Sequence, residues 1–187
     1  MFTSIAIIGR PNVGKSTLFN KLTKTREAIV SDFPGLTKDR NYGYIKLGSI
    51  KSFIIDTGGI GKDESNLSQN ISDQAWMAAN ECNLILFLVD GSESLTSEDL
   101  DILSNLRKLN KPFITLLNKS DKSSKSEALN DISSKGIKDY LDISAEHSRG
   151  LDDLRKLLIK MLPEKNDEIV PDGKKIAVLG RPNAGKS

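Results

Sequence analysis

The sequence predicts an α/β fold of the P-loop NTPase type, with a mostly parallel six-stranded sheet and helices on both of its faces. The first observation is that short apolar runs typical of buried strands alternate with amphipathic stretches typical of helices. This order favours a parallel sheet that is covered on both sides. The second is that residues 9–16, GRPNVGKS, follow the first apolar run and match the phosphate-binding pattern G-x-x-x-x-G-K-S/T.

The individual elements follow from the spacing of apolar residues and from signals at element ends. Gly48 and Ser49 lie between two short strands and predict the turn of a hairpin. Thr96 and Asp99 have the spacing of a capping box and predict where a helix begins. The predicted strands are 5–8, 42–47, 52–55, 84–89, 113–117 and 140–143; the predicted helices are 15–24, 71–81, 97–109, 126–134 and a closing helix marked by Leu151, Leu154, Leu158 and Met161.

The loop after the first strand has the residues that phosphate binding requires. Gly9 and Gly14 permit a backbone path that a side chain would block, and the amides of the loop and of the following helix start can bind a phosphate. We expect Lys15 to reach the β- and γ-phosphates of a nucleotide and the hydroxyl of Ser16 to bind Mg²⁺. The nucleotide contacts predicted for this loop are Gly9, Arg10, Pro11, Asn12, Val13, Gly14, Lys15, Ser16 and Thr17.

A second motif, NKSD, follows the fifth predicted strand and ends at Asp121. The carboxylate of Asp121 can accept hydrogen bonds from the N1–H and the exocyclic amine of guanine, whereas adenine would leave it unpaired, so guanine would be selected strongly. We expect Lys119 to lie along the base and to pack on the phosphate loop, and Asn118 to link the loops together. The backbone of Ser144 and Ala145 is predicted to contact the guanine oxygen.

A third motif, DTGG, begins at Asp56 after the third predicted strand. We expect Asp56 to hold Mg²⁺ through a water and the amide of Gly59 to approach the γ-phosphate. Thr37, in the long first loop, is predicted to join Ser16 as a hydroxyl ligand of Mg²⁺ and to order that loop around the triphosphate. Because parallel sheets bind ligands at the carboxyl ends of their strands, the motifs should meet around one nucleotide. The contacts predicted for this motif are Asp56, Thr57, Gly58, Gly59 and Ile60.

The composition is that of an ordinary folded protein, with 37% apolar and 28% charged residues in a chain of 187. No apolar run approaches the ~20 residues of a membrane span, and nothing predicts a signal peptide. Cys82, the single cysteine, excludes an internal disulfide and indicates a reducing cytoplasm. Because the net charge is only +2, charge alone does not indicate a nucleic-acid partner. We expect a monomer that binds neither a membrane nor DNA.

The end of the chain repeats its beginning. Residues 174–187, KKIAVLGRPNAGKS, are identical to residues 3–16 at nine of fourteen positions. Residues 163–174 contain two prolines, a glycine and four acidic residues, a composition typical of a linker. We therefore predict a first nucleotide-binding domain over 1–162, an acidic linker over 163–174, and the strand and phosphate loop of a second domain over 175–187. We expect the chain to be a fragment of a longer protein.

Together these features resemble a translation-factor-type GTPase G domain and, more narrowly, the EngA/Der family. The resemblance rests on RPNV inside the phosphate loop, PGLTKDR at 34–40, DTGG at 56–59 and the second phosphate loop after an acidic linker. It implies a G domain that binds GTP or GDP with Mg²⁺ and hydrolyses GTP to GDP and phosphate. It also implies a cytoplasmic bacterial protein with a second G domain and a KH-like domain in cis, which assembles the large ribosomal subunit and contacts its rRNA.

One position departs from the pattern of many G domains, which place a glutamine after the DTGG-type motif to orient the attacking water. Ile60 stands there in this chain, and its side chain cannot hydrogen-bond a water. The resemblance implies that a potassium ion compensates, held by Asn12 and by backbone of the first switch loop, and supplies positive charge at the phosphates. The residues predicted to act in catalysis are Lys15, Thr37, Gly59 and Asn12.

Three other interpretations stay open. The first is a binding module that responds to GTP and GDP and has negligible hydrolysis of its own. The second is a GTPase of tRNA modification, which shares the asparagine of the phosphate loop, although the tandem repeat argues against it. The third is a P-loop kinase, which Asp121 disfavours. We further predict packing roles for Cys82 and Trp76 and a surface role for His147, the single histidine.

Overall fold

A computed structural model of the chain describes residues 3–23, 41–59, 73–121, 125–137 and 139–162. Six strands and five α-helices alternate along these parts of the chain. The strands are β1 (Thr3–Ile8), β2 (Asn41–Leu47), β3 (Ile50–Asp56), β4 (Leu84–Asp90), β5 (Phe113–Asn118) and β6 (Tyr140–Asp142). The helices are α1 (Lys15–Leu22), α2 (Asp73–Glu81), α3 (Ser97–Lys108), α4 (Lys125–Ser134) and α5 (Leu151–Met161).

The strands form one sheet in the order β2-β3-β1-β4-β5-β6. Only β2, at the edge, is antiparallel to its neighbour; the other pairs are parallel. The structure therefore confirms the mostly parallel six-stranded sheet. It also confirms the predicted hairpin, because Leu47 pairs with Ile50 across the turn formed by Gly48 and Ser49.

The two large hydrophobic cores of the described residues lie on opposite faces of the sheet because successive side chains of a strand point to opposite sides. Ile5 and Ile7 of β1 belong to one core, which also contains the buried leucines of α1 and α5. Ala6 and Ile8 belong to the other, together with residues of α2, α3 and α4. This arrangement confirms helices on both faces. The central strand β4 is buried along its whole length, which explains why its sequence is a continuous apolar run.

The predicted start of α3 is also confirmed. The Thr96 side chain accepts a hydrogen bond from the Asp99 amide and the Asp99 side chain accepts one from the Thr96 amide, so a complete capping box begins the helix. Cys82, which directly follows α2, is buried, and Trp76 of that helix is half-buried against the same core. Both residues pack as predicted.

Three of the four apolar residues that predicted the closing helix α5 pack against the sheet. Leu151, Leu154 and Leu158 are buried, whereas Met161 is 41% exposed. Met161 is the last residue of the helix; the chain turns to an extended conformation at Leu162, and that side chain is buried in the core instead. The apolar spacing therefore predicted the helix correctly, with Met161 as its last residue.

Several predictions lie outside the described residues. These are the acidic linker at 163–174, the second phosphate loop at 175–187, and the site residues Thr37 and Ile60. Among the helices that the structure does describe, none combines the length and the apolar character needed to cross a membrane.

Candidate nucleotide site

The phosphate loop connects the end of β1 to the start of α1, and two of its glycines are required by close contacts. Gly14 has a φ of 100°, and a Cβ there would lie 2.3 Å from Nδ2 of Asn118. A Cβ on Gly9 would lie 2.3 Å from the carbonyl oxygen of Leu88. No side chain caps α1 and its first turn carries no acidic residue. The first amides of α1 and the positive end of its dipole are therefore available to an anion.

Lys15, the first residue of α1, is buried at the base of this loop. Its Nζ donates a hydrogen bond of 2.7 Å to the carbonyl oxygen of Arg10. Burial lowers the pKa of Lys15; the carboxylate of Asp56 opposes this effect and the charge of Arg10 adds to it, so the net shift is downward. The ammonium group is thus partly stripped of water beside the loop that would hold the phosphates.

Oxygen atoms suited to Mg²⁺ converge at the end of β3. A Cβ built on Gly58 would lie 3.2 Å from Oδ1 of Asp56, 3.5 Å from Oγ of Ser16 and 2.9 Å from Cε of Lys15. Mg²⁺ prefers oxygen ligands and is usually bound through one or two protein groups together with waters and substrate phosphates. Among the described residues there is no group of three or more His, Cys, Asp or Glu side chains that could hold a metal.

The turn Thr57–Gly59 follows β3 and is fixed to the sheet. The hydroxyl of Thr57 donates a 2.5 Å hydrogen bond to the carbonyl oxygen of Ile7, and the amide of Gly58 donates a 2.9 Å bond to Oδ1 of Asp56. The Thr57 side chain is therefore engaged within the fold, which leaves its backbone for any contact with a nucleotide. Gly59 ends the turn, beside the position at which we expect a γ-phosphate.

Asn118 links the two ends of the site. Its Nδ2 donates a 2.8 Å hydrogen bond to the carbonyl oxygen of Val13 in the phosphate loop, and its Oδ1 accepts a 2.9 Å bond from the amide of Ala145. This is the loop-linking role expected from the sequence. The amide of Ser144 donates to the carbonyl oxygen of Arg149 at 3.1 Å. Both amides of the Ser144–Ala145 pair are therefore engaged internally, and the predicted contact with a guanine oxygen requires one of them to be shared.

Lys119 contacts an acidic residue that the sequence did not indicate as its partner. Its Nζ donates a 2.5 Å hydrogen bond to Oδ2 of Asp90, at the end of β4. Its backbone has a φ of 64°, an uncommon conformation for a residue with a side chain.

Asp90 is a site residue that the sequence reasoning missed. It pairs with Asn118 in the β4–β5 register, and its Oδ1 accepts hydrogen bonds from the amide and the hydroxyl of Ser92 at 3.0 and 2.6 Å. Burial alone would raise the pKa of Asp90, but the hydrogen bonds from Lys119 and Ser92 outweigh it and lower the pKa. The sequence did contain an indication of this role: Asp90 is a carboxylate at the carboxyl end of a central parallel strand, where ligand sites of such sheets lie.

Asp121, the last residue of the NKSD motif, lies close to His147. The Asp121 side chain is 29% exposed, and one of its oxygens lies 3.6 Å from Nε2 of His147. The His147 side chain is 57% exposed, as predicted, although its closeness to Asp121 was not predicted. The Asp121 carboxylate is therefore partly accessible to a base.

The side chains of Arg10 and Asn12, both in the phosphate loop, differ in whether they are already bound within the fold. The Arg10 guanidinium binds the carboxylates of Asp99, at 3.1 Å, and of Glu93, so its side chain is engaged within the fold. Burial lowers the pKa of Arg10, but the two carboxylates outweigh it and the net shift is upward. Asn12 is exposed and has a φ of 64°, which asparagine tolerates better than most residues. Its amide group is therefore accessible to an ion.

A parallel sheet whose phosphate loop is joined to an NKSD loop at the strand ends is the G domain of P-loop GTPases. Residues 4–119 match the family described as 50S ribosome-binding GTPase, and the chain belongs to that family.

Similar proteins agree with this assignment. GTPase Der of Legionella pneumophila strain Corby is 47% identical over 188 residues, which cover 100% of this chain and 41% of that protein. The chain thus spans about two fifths of the length of this relative. Among solved structures, a variant of Aquifex aeolicus Era bound to GDP and AlF4⁻ is 33% identical with a TM-score of 0.70, covering 88% of this chain and 58% of Era. Era in complex with MgGDPNP and a 16S rRNA segment is 32% identical with a TM-score of 0.71, covering 92% and 60%.

The contact between Asp90 and Lys119 predicts a pH-dependent stability. Because the pKa of folded Asp90 is lowered, its ionised form contributes stability that is present above the unfolded pKa of about 4 and is lost as the pH falls through the lower folded pKa. The variant Asp90→Asn should therefore melt below the wild type at neutral pH, and the difference in Tm should shrink below about pH 4.

The measurement is thermal unfolding of both proteins from neutral to acidic pH. Asn105→Ala, at an exposed position of α3 without a titratable side chain, is the control and should melt with the wild type at every pH. A difference in Tm between Asp90→Asn and the wild type that stays constant down to about pH 3, a unit below the unfolded pKa of Asp, would contradict the role of Asp90.

Proposed function

We propose that the chain binds GTP and hydrolyses it to GDP and phosphate. The observation that carries this proposal is the buried side chain of Asn118, which bonds the phosphate loop at Val13 and the loop at Ala145. In the proposal, this link brings Lys15, for the phosphates, and Asp121, for the base, to one site. Membership of the GTPase family and the nucleotides in the two similar Era structures support it.

Each part of the site has a role in this proposal. Lys15 and the amides at the start of α1 bind the β- and γ-phosphates, and Asp121 accepts hydrogen bonds from the N1–H and amine of guanine. The amide of Gly59 approaches the γ-phosphate. When bound, Mg²⁺ neutralises charge on the phosphate oxygens. The ligands that we propose for Mg²⁺ are Ser16, Asp56 and Thr37.

The selection of guanine is tested by Asp121→Asn. An amide in place of the carboxylate cannot accept from both donors of guanine, but its NH₂ can donate to the carbonyl that xanthine has in place of the amine. We expect kcat/KM for GTP to fall by about 100-fold or more and kcat/KM for XTP to rise, with ATP a poor substrate throughout. Phosphate release with the three nucleotides measures this.

Asp101→Asn, on the exposed face of α3, is the control and should behave as the wild type. Equal use of GTP and ATP by the wild type would overturn the proposal in favour of a kinase-like nucleotide site. Tight GTP binding with negligible hydrolysis in the presence of potassium would instead favour a binding module controlled by GTP and GDP.

We also propose that potassium assists hydrolysis. Asn12 is exposed on the phosphate loop, and an amide oxygen is a suitable ligand for a monovalent cation beside the phosphates. Ile60, which occupies the position of the usual water-orienting glutamine, has no group that can replace it. A bound cation would supply positive charge where the transition state develops negative charge.

The potassium proposal predicts a faster GTPase rate in KCl than in NaCl. Asn12→Gly should abolish this difference, because glycine loses the amide but tolerates the φ of 64° at this position. Asn110→Gly is the matched control, since Asn110 is also exposed and has a φ of 51°, and should keep the difference. Equal wild-type rates in the two salts would contradict the proposal.

In the full-length protein we propose that this domain acts as a cytoplasmic switch in assembly of the large ribosomal subunit, with the second G domain and a KH-like domain in cis. The support for the large subunit is the description of the family as 50S ribosome-binding, together with the relatives named GTPase Der. The 16S rRNA segment bound by Era, which belongs to the small subunit, supports only an association with rRNA. None of these observations favours a tRNA-modification enzyme.

A further inference from the structure

The segment between β4 and α3, residues 90–99, has no nucleotide-binding motif, yet it holds the cations of both nucleotide loops. Asp90 binds Lys119 of the NKSD loop. Glu93 and Asp99 both bind Arg10 of the phosphate loop. The most buried of these contacts is that between Arg10 and Asp99, which joins residues far apart in the sequence.

This contact is largely shielded from water. Nε of Arg10 donates a 3.1 Å hydrogen bond to Oδ2 of Asp99, and the two side chains are 17% and 2% exposed. The same oxygen accepts from the amide and the hydroxyl of Thr96 at 3.1 and 2.9 Å. One carboxylate oxygen thus accepts hydrogen bonds both from the capping residue of α3 and from the phosphate loop. A buried ion pair of this kind is costly to break from one side, because the remaining charge is left uncompensated.

The backbone of Arg10 in turn contacts Lys15. The carbonyl oxygen of Arg10 accepts a 2.7 Å hydrogen bond from Nζ of Lys15, so Asp99, Arg10 and Lys15 form a continuous chain of contacts. We propose that Asp99 is a positioning residue for nucleotide binding: through Arg10 it fixes the phosphate loop at the place where Lys15 meets the β-phosphate. This inference rests on the proposed GTP-binding function.

A capping role alone does not account for Asp99. The capping box needs its carboxylate only to accept from Thr96, and that need is met without Arg10. Oδ1 of Asp99 is buried and has no hydrogen-bond partner in the described part of the chain, so its charge is compensated mainly through the contact with Arg10. Displacing a positioned group by about 1 Å can reduce activity by about 100-fold, which makes a rigid support for the phosphate loop useful.

The test compares GDP and GMP. In the proposal, Lys15 reaches the β-phosphate, which GMP lacks. Loss of the support should therefore lower the affinity for GDP and leave the affinity for GMP nearly unchanged. We expect Asp99→Asn and Arg10→Gln each to lower the affinity for GDP by about 10-fold, the magnitude of one hydrogen bond to a charged group. The affinity of each variant for GMP should stay within about twofold of the wild-type value. The double variant should bind GDP no more weakly than the weaker single variant, because the two changes remove the same contact.

The measurement is the affinity of the 187-residue chain for N-methylanthraniloyl-GDP, with GDP and GMP as competitors and Tm recorded for every variant. Ile102→Ala is the matched control: Ile102 is a buried core residue of the same helix, so this variant should lose stability and keep the wild-type ratio of GDP to GMP affinity. If the wild type does not bind GDP, the proposed function itself fails. If it does, unchanged GDP affinity in both single variants, or an equal loss of GDP and GMP affinity, would overturn the role of Asp99.

Discussion

The two hydrogen bonds of the Asn118 side chain are the interaction on which the rest of the site depends. They join the phosphate loop at Val13 to the loop at Ala145, and Asn118 itself is almost fully buried. An amide is suited to this position because it has both a donor and an acceptor, whereas a carboxylate would repel the carbonyl oxygen of Val13. The close approach of its Nδ2 also explains why Gly14 tolerates no side chain.

Among the described residues, three cations around this link have different kinds of partner. Arg10 and Lys119 contact carboxylates, whereas Lys15 donates to a neutral carbonyl oxygen. In the proposed function, Lys15 is therefore the cation that can exchange an uncharged partner for a negatively charged phosphate, while the ion pairs of Arg10 and Lys119 stay in place.

Local sequence patterns predicted the frame of this site. The glycine loop before α1, the NKSD and DTGG motifs at strand ends, and the capping box at Thr96 each depend on residues close together in the sequence. The rule that ligands bind at the carboxyl ends of parallel strands then brought the motifs to one edge. The structure has this arrangement, and Asn118 links the loops as expected.

Contacts between distant side chains were beyond that reasoning. Nothing in the spacing of Arg10 and Asp99 indicates that they meet, and a carboxylate at a helix start is already explained by capping. Asp90 ended a strand without belonging to a motif, so its hydrogen bond with Lys119 was not predicted. The engagement of the Ser144 and Ala145 amides was missed for a related reason, since a turn closed by Arg149 has no signature in a single sequence.

The most direct test of a single site joined by Asn118 is the GDP affinity of Asn118→Ala, measured together with circular dichroism. The account predicts a loss of about 100-fold or more, because two buried hydrogen bonds disappear and leave their partners unsatisfied, while the helical signal is retained. Asn105→Ala, at an exposed position of α3, should bind GDP as the wild type does. A GDP affinity of Asn118→Ala within about twofold of the wild-type value would contradict the account, because the loss of even one buried hydrogen bond should lower the affinity by more than that.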